Sequence, residues 1–490
     1  MKIRLTLLAF FLCLTCFSQN ENVFLNRDYW KSNPSLEQVK TQIEEGHDIS
    51  ELNSYAFDPV VYALLENVDN ATIAYMVKQP GNDVNKITHD GRTYIFWAAY
   101  KGNVDFMTYL LNQGAKTDVI DDKGNSILNF AASTGQQNTK VYDLCIANGI
   151  QPKIDLTPNG ANALLLAAPS DQDFKLINYF TAQGLDIHSV DRDGNGVFNY
   201  VAKTGNIKMM NALLEKGIKG SDQAFIYAAY GTRRNINGIE VYKFLESLGL
   251  QVNTVNSEGI SPLHIVASRN KDLALVSYLL SKGLDVDAKD TNGNTALMNA
   301  ASRNSMEIVK VLVEHAKEIN SVNKKGQSAL SLAVQNNAPE VVAFLLDKGA
   351  KPSITDKDGN NISYYLAQSF SKDNSEAFFN KMELLKTNGF ELETVQDNRN
   401  SWFHMAVDKQ SLDLLKLALK MKQDINAKNA QGYTALHLAA MTSKDNTMLK
   451  YLIENGATKT ATTDFEETAY DLALENELLK KNKVSVEFLK

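Results

Sequence analysis

The sequence predicts an all-α repeat protein, a solenoid of about twelve helix-turn-helix repeats with short β-hairpin loops. Two observations predict this fold class. The chain has 490 residues, which is longer than a single hydrophobic core supports. Within it a glycine followed by an alanine-rich segment recurs, and several successive intervals are 33 or 34 residues. Such a period indicates units that bury their apolar faces by stacking on their neighbours.

The first recurring phrase predicts a turn and a short helix. Glycine adopts a left-handed backbone conformation without steric cost, as a tight hairpin requires. Thr93, Thr295 and Thr434 follow such glycines and are expected to cap the helices that begin there. The alanine pairs that come next allow two helices to approach closely. The turn glycines are Gly91, Gly124, Gly160, Gly194, Gly259, Gly293, Gly326, Gly359 and Gly432.

The second recurring phrase predicts another helix, which glycine terminates. Its paired aliphatic residues are expected to fill the layer between repeats, and the glycine suits the left-handed position after a helix. The clearest copies are residues 109–114, 278–283, 344–349 and 451–456.

Together the two phrases resemble the ankyrin repeat. The copies most similar to it are residues 258–267, with Pro262-Leu263-His264, and residues 431–440, with Leu436-His437. The resemblance covers roughly residues 58 to 475. It implies that the protein binds other macromolecules through hairpin tips and the exposed faces of the first helices. It also implies that His264, His404 and His437 form hydrogen bonds between repeat turns.

Some copies depart from the pattern. Ser221 and Arg399 stand where a turn glycine is expected, and Pro169 should end the first helix of its repeat. Additional residues separate the two helices in three copies, at 133–139, 230–238 and 368–377. Because short spacing, a missing glycine and an insertion coincide there, residues 217–238 are expected to form the weakest junction of the array.

The ends of the chain predict an export signal and two caps. Lys2 and Arg4 precede an apolar run, with small residues before Gln19, so residues 1–18 are typical of a cleaved signal peptide. A lipid anchor at Cys16 is the alternative. Residues 19–57 are predicted to be an N-terminal helical cap, residues 58–463 the repeats, and residues 464–490 a C-terminal capping repeat.

No motif predicts catalysis, a metal site or a cofactor. The histidines have no partners at metal-ligand spacing. Residues 191–195 and 356–360 begin like a calcium loop, but their glycine falls at the wrong place, so turns are expected. The net charge of −7 argues against nucleic-acid binding. Cys145, the one cysteine beyond the signal, is expected to be a buried apolar residue.

These observations predict an exported protein-binding scaffold, periplasmic or extracellular, that is a monomer without a transmembrane segment. Its concave face and hairpin tips would engage a protein partner. The alternatives are a structural component of a cell-envelope assembly, with a lipid anchor at Cys16, and an enzyme, which no motif favours. By position in the repeat, the predicted partner-binding residues are His89, Arg92, Tyr100, Lys101, Arg269, Arg303, Lys324, Lys325, Tyr433 and Met441.

Overall fold

Residues 22–233 and 235–490 are described by a computed structural model. The predicted signal peptide, residues 1–18, lies outside the described residues. No helix in the described ranges is long and apolar enough to cross a membrane. The described residues divide into two compact units, residues 22–201 with 208–220, and residues 202–207 with 221–233 and 235–490.

Paired helices make up the first unit. They are α1 Arg27–Lys31, α2 Leu36–Glu44, α3 Pro59–Leu65, α4 Asn70–Val77, α5 Tyr94–Lys101, α6 Val104–Asn112, α7 Ile127–Ser133, α8 Thr139–Ala147, α9 Ala163–Ala167, α10 Lys175–Ala182, α11 Val197–Ala202 and α12 Ile207–Glu215. Ala202, the last residue of α11, and Ile207, the first residue of α12, belong to the second unit.

The second unit continues the same alternation. Its helices are α13 Ala224–Tyr230, α14 Ile239–Ser247, α15 Pro262–Arg269, α16 Leu273–Ser281, α17 Ala296–Arg303, α18 Met306–His315, α19 Ala329–Asn336, α20 Pro339–Asp347, α21 Ile362–Gln368, α22 Ser375–Thr387, α23 Trp402–Asp408, α24 Leu412–Lys420, α25 Ala435–Thr442, α26 Thr447–Glu454, α27 Ala469–Glu475 and α28 Glu477–Lys481.

The predicted all-α repeat architecture is confirmed. From α3 to α26 there are twelve helix pairs, and the described ranges contain isolated β-bridges in place of β-strands. The bridges lie in the predicted hairpin loops, between Thr88 and Arg92, Val322 and Ser328, and Thr462 and Thr468.

First helices form the core of each unit because small residues let them pack closely. Ala98 and Ala99 on α5 are fully buried, as are Ala300 and Ala301 on α17. Thr295 and Thr434 cap their helices as predicted. The prediction for Thr93 is wrong: its hydroxyl makes no cap bond, since the Phe96 amide donates to the Thr93 carbonyl oxygen.

Second helices bury one face each, and most end in a left-handed glycine, as predicted, whereas α18 is followed by Ala316 and α24 by Met421. On α6 the buried residues are Phe106, Met107 and Leu110, and Gly114 follows with a φ of 89°. Pro169 also acts as predicted, because α9 stops at Ala167 and one 3-10 turn follows. Cys145 on α8 is 3% exposed, and burial raises the pKa of its thiol to about 12.

Candidate partner-binding surface

The hairpin loops are built by one repeated hydrogen-bond scheme. Asp121, three residues before the turn glycine, donates its amide to Asn125 O, and Gly124 donates back to Asp121 O. The Asp121 carboxylate accepts from the amides of Lys123 and Asn125 at 3.0 and 2.8 Å. Asp290 and Asp356 repeat this arrangement. These side chains satisfy turn amides, so the segments that resemble calcium loops are turns, as predicted.

Neighbouring hairpins are joined through their main chains. In the first unit, Asp122 N donates to Asp90 O at 2.9 Å and Arg192 N donates to Asn159 O at 2.8 Å. Pro158 occupies the donor position in the hairpin between these two, and proline has no amide hydrogen to donate. In the second unit the same bond is made by Thr291 to Glu258, Lys324 to Asn292, Lys357 to Lys325 and Ala430 to Asn398. The loops therefore form a continuous edge in the second unit, where Asp397 N also donates to Gly359 O, and two joined pairs of hairpins in the first.

One position of this edge is aliphatic and exposed. In the first unit, the residue four places before the turn glycine is always Ile, Leu or Val. We call this set the aliphatic row; its members, with their exposed fractions, are Ile87 (57%), Ile120 (53%), Leu156 (48%) and Val190 (55%). In the second unit the same position holds valine in every other repeat, and lysine or threonine in the repeats between. The valines Val255, Val322 and Val395 are exposed.

Sequence reasoning missed the aliphatic row. The signal is present in the sequence, because one apolar residue recurs at the same place beside a polar turn. Burial within a strand or a helix does not explain this recurrence. The resemblance instead directed attention to the residues that flank the glycine.

The three repeat histidines bridge adjacent turns, as the resemblance implied. Each accepts or donates at Nδ1 within its own helix start, and Nε2 contacts the next hairpin region. These Nε2 contacts are His264 to Ala288 O at 3.0 Å, His404 to Tyr433 O at 3.0 Å and His437 to Ala461 O at 2.9 Å. Burial lowers the pKa of all three imidazoles.

Arg92 is not an exposed contact residue, and the prediction that placed it on the surface is wrong. The residue is 5% exposed. Its guanidinium contacts Asp121 Oδ2 at 2.9 Å and Asp90 Oδ2 at 3.1 Å, and it lies 4.1 Å from the centre of the Phe130 ring. A buried guanidinium with two carboxylates and an aromatic face stabilises the hairpin rather than presenting a free charge.

Three other predicted residues of the first unit are partly exposed and already engaged. His89 stacks on Phe57 with ring centres 4.3 Å apart, and its Nδ1 lies 2.8 Å from Tyr55 O. Lys101 donates to Leu65 O at 2.7 Å. Tyr100 lies beside the Phe130 ring. Their role in binding stays a prediction.

The predicted residues of the second unit are more accessible. Arg269, Arg303, Lys324 and Lys325 are exposed, while Tyr433 and Met441 are partly exposed. They lie in four places: the ends of α15 and α17, the hairpin before α19, and the region around α25. Arg269 and Arg303 occupy equivalent positions of their repeats, each ten residues after a turn glycine. Whether any of the six residues contacts a partner stays a prediction.

Among the described residues no group of three or more His, Cys, Asp or Glu side chains could hold a metal ion. The edge therefore offers hydrogen-bonding groups, aliphatic side chains and separate cations, which suits recognition of another macromolecule.

These features define a repeat protein of stacked helix pairs with a hairpin edge. A family model described as ankyrin repeats matches residues 30–121, 234–321, 263–356 and 374–484, more than half of the chain. The chain belongs to the ankyrin-repeat family, whose repeats generally mediate protein–protein interaction and are typically non-catalytic.

Several known proteins are similar to parts of the chain. The phosphocholine transferase AnkX of Legionella pneumophila is 22% identical over 228 residues, which cover 46% of this chain and 22% of that protein. The NAD-dependent deacetylase sir2B of Dictyostelium discoideum is 25% identical over 292 residues, covering 59% and 32%. The putative ankyrin repeat protein FPV031 of fowlpox virus is 27% identical over 163 residues, covering 31% and 48%. The chain thus spans less than half the length of each of these relatives.

Proposed function

We propose that the protein is an exported scaffold that binds a protein partner through the hairpin tips and concave face of its repeats. The observation that carries the proposal is the aliphatic row of the first unit. Its four side chains are each about half exposed and occupy one position in successive repeats. Scattered apolar residues are ordinary on a protein surface, whereas one exposed position that is aliphatic in four successive repeats favours an interaction site.

The energetics favour an apolar contact with polar support. Fully burying an aliphatic side chain is worth about 1.5 to 3 kcal/mol, so four half-exposed ones could contribute about 3 to 6 kcal/mol before the costs of association. The hairpin main chain beside them is already hydrogen-bonded and ordered. A partner therefore meets a surface that loses little conformational freedom on binding.

Export is proposed on the amino-acid pattern of residues 1–18. Intact mass of the chain recovered from its native cell tests it directly. A chain that begins at Gln19 supports cleavage and release, and added acyl mass on Cys16 supports the lipid-anchored envelope component instead. A chain that keeps Met1 contradicts both.

Partner binding is tested by crosslinking and affinity purification from the native envelope with two full-length double variants. Ile87→Asp with Ile120→Asp puts charges into the aliphatic row and should abolish recovery of the partner. Leu273→Asp with Leu478→Asp is the matched control, since these leucines are 42% and 49% exposed but lie outside the hairpins. Equal recovery with both double variants would contradict a binding role for the row.

No enzyme activity is proposed. The transferase and deacetylase names belong to relatives of which this chain covers 22% and 32%. Their activities are not carried over to the repeats.

A further inference from the structure

A cleft in the second unit lies between α22 and α24. Helix α22 has 13 residues, whereas α20 and α24 have nine each, and α22 follows the inserted residues 368–377. The longer helix changes how the second helices of neighbouring repeats meet. It packs closely against α20, and it makes fewer contacts with α24.

Lys381 helps to hold α22 in this position. Its residue is 2% exposed, and its Nζ donates to Val334 O, in the last turn of α19, at 2.8 Å. Phe378 and Leu385 are buried on the same helix. A buried ammonium group at the carboxyl end of a helix is a favourable arrangement for the helix dipole. This face of α22 is thus fixed toward α19 and α20, and a cleft of about 610 Å³ remains beside α24.

Half of the residues that line the cleft are apolar. They include Phe379, Met382, Leu414, Leu417 and Met421. Phe379 is 48% exposed, although its neighbour Phe378 is buried. Large apolar side chains that face an open cavity of this size are typical of sites for small molecules.

The charges around the cleft are mostly positive. Lys372, Lys386, Lys416 and Lys420 line it, together with the carboxylates of Glu393 and Asp413. Lys416 pairs with Asp413 at 3.3 Å. The lining therefore has a surplus of positive charge, although the whole chain has a net charge of −7. An apolar interior with a cationic border complements a molecule that has a hydrocarbon body and an anionic head.

We propose that this cleft binds a single-chain amphiphilic carboxylate, of the fatty-acid type. Its hydrocarbon chain contacts Phe379, Met382 and Leu417, and its carboxylate is held by the lysines at the border. This site is separate from the hairpin edge, so it goes beyond the proposed scaffold function and does not depend on it.

Calorimetric titration of the purified full chain with dodecanoate, below its micelle concentration, tests the proposal. We expect saturable binding of one molecule per chain. Lys386→Glu with Lys420→Glu should weaken it at least about tenfold. Lys243→Glu with Lys351→Glu is the matched control, because it makes the same change in net charge at two exposed lysines outside the cleft. It should leave the affinity unchanged.

Two further measurements separate this site from adventitious association. Met382→Trp fills the cleft and should abolish binding while thermal unfolding stays cooperative. Dodecyltrimethylammonium has the same chain with a cationic head and should not bind saturably. Absence of saturable dodecanoate binding, equal weakening by both lysine pairs, or binding only to anionic lipid vesicles would overturn the proposal.

Discussion

Arg92 shows that a position beside a turn glycine does not fix the role of a side chain. At the same place in other repeats Ala161 and Asn195 are also buried, whereas Tyr433 is partly exposed. At Arg92 the neighbouring hairpin supplies a buried carboxylate, Asp121, and the next first helix supplies the Phe130 ring. The guanidinium is therefore enclosed by residues that lie about 30 to 40 positions later in the chain.

Arg92→Met should lower the free energy of unfolding of the first unit by about 2 to 4 kcal/mol, because it leaves the Asp121 carboxylate buried without its cation. Urea denaturation measures the change. The exposed residue Arg269 gives the control, and Arg269→Met should change stability by less than about 0.5 kcal/mol. Equal effects of the two substitutions would show that the Arg92 pairs contribute nothing.

The repeat histidines predict a dependence of stability on pH. Burial lowers the pKa of His437 below its ordinary value of 6.5, so the unfolded chain takes up a proton at a higher pH than the folded chain. The stability that this imidazole contributes is present above pH 6.5 and is lost as the pH falls below it. The melting temperature of His437→Gln should therefore fall less than that of the unsubstituted protein between pH 7 and 5.5. His315→Gln, at an exposed histidine, should follow the unsubstituted protein.

Residue-scale prediction from sequence succeeded where the repeat itself determines the contact. The turn glycines, the caps at Thr295 and Thr434, and the histidine bridges all depend on neighbours at fixed offsets. It failed at Arg92, because burial there depends on which side chains the next repeat supplies. It also failed at Thr93, where the Phe96 amide donates to the Thr93 carbonyl oxygen and not to the hydroxyl. The aliphatic row and the cleft lining could not be identified as binding sites from the sequence, because the structure is needed to show which of these side chains are exposed.

At the scale of elements, the glycines in the hairpins differ from the glycines that end helices. Gly326 has a φ of 82°, and a Cβ atom there would lie 2.8 Å from Asp356 Cα in the next hairpin. Gly349 ends α20 with a φ of 86°, and a Cβ atom there would meet nothing within 4 Å. At Gly326 both the backbone conformation and the neighbouring hairpin require glycine. At Gly349 only the backbone conformation requires it.

Gly326→Ala should therefore destabilise the second unit more than Gly349→Ala. We expect roughly 1 kcal/mol for the strained left-handed alanine at Gly349 and at least about 1 kcal/mol more at Gly326, where the hairpins must also separate. Equilibrium denaturation of both variants gives the comparison. If the two losses are equal, contact between hairpins places no demand on this glycine.

At the scale of the whole molecule, residues 464–490 follow the last repeat, and their role as a cap stays a prediction. Helix α27 packs against α25, and Leu449 and Leu452 of α26 are fully buried. Deletion of residues 464–490 should expose apolar surface and cause aggregation, because terminal repeats need a polar outer face. Light scattering and thermal melting measure this. An unchanged monomer with unchanged melting would exclude a capping role.

The weak junction at residues 217–238 stays a prediction, which is based on how this segment departs from the repeat pattern. The boundary between the two units lies at residues 201 to 221 and overlaps the first residues of this junction. Hydrogen exchange should be faster at 217–238 than at 290–346, and limited proteolysis should first cut near Arg233. Uniform protection, with first cleavage elsewhere, would show that the inserted residues brace the array.

Cys145 allows transient opening of the first unit to be measured. A thiol that is 3% exposed, with a pKa near 12, cannot react with an alkylating reagent while α8 stays packed. If Cys13 and Cys16 leave with the signal, every alkylated molecule records one transient opening of that unit. Mass spectrometry of the growing alkylated fraction then gives the opening rate of the first unit in the native sequence, with no label to engineer.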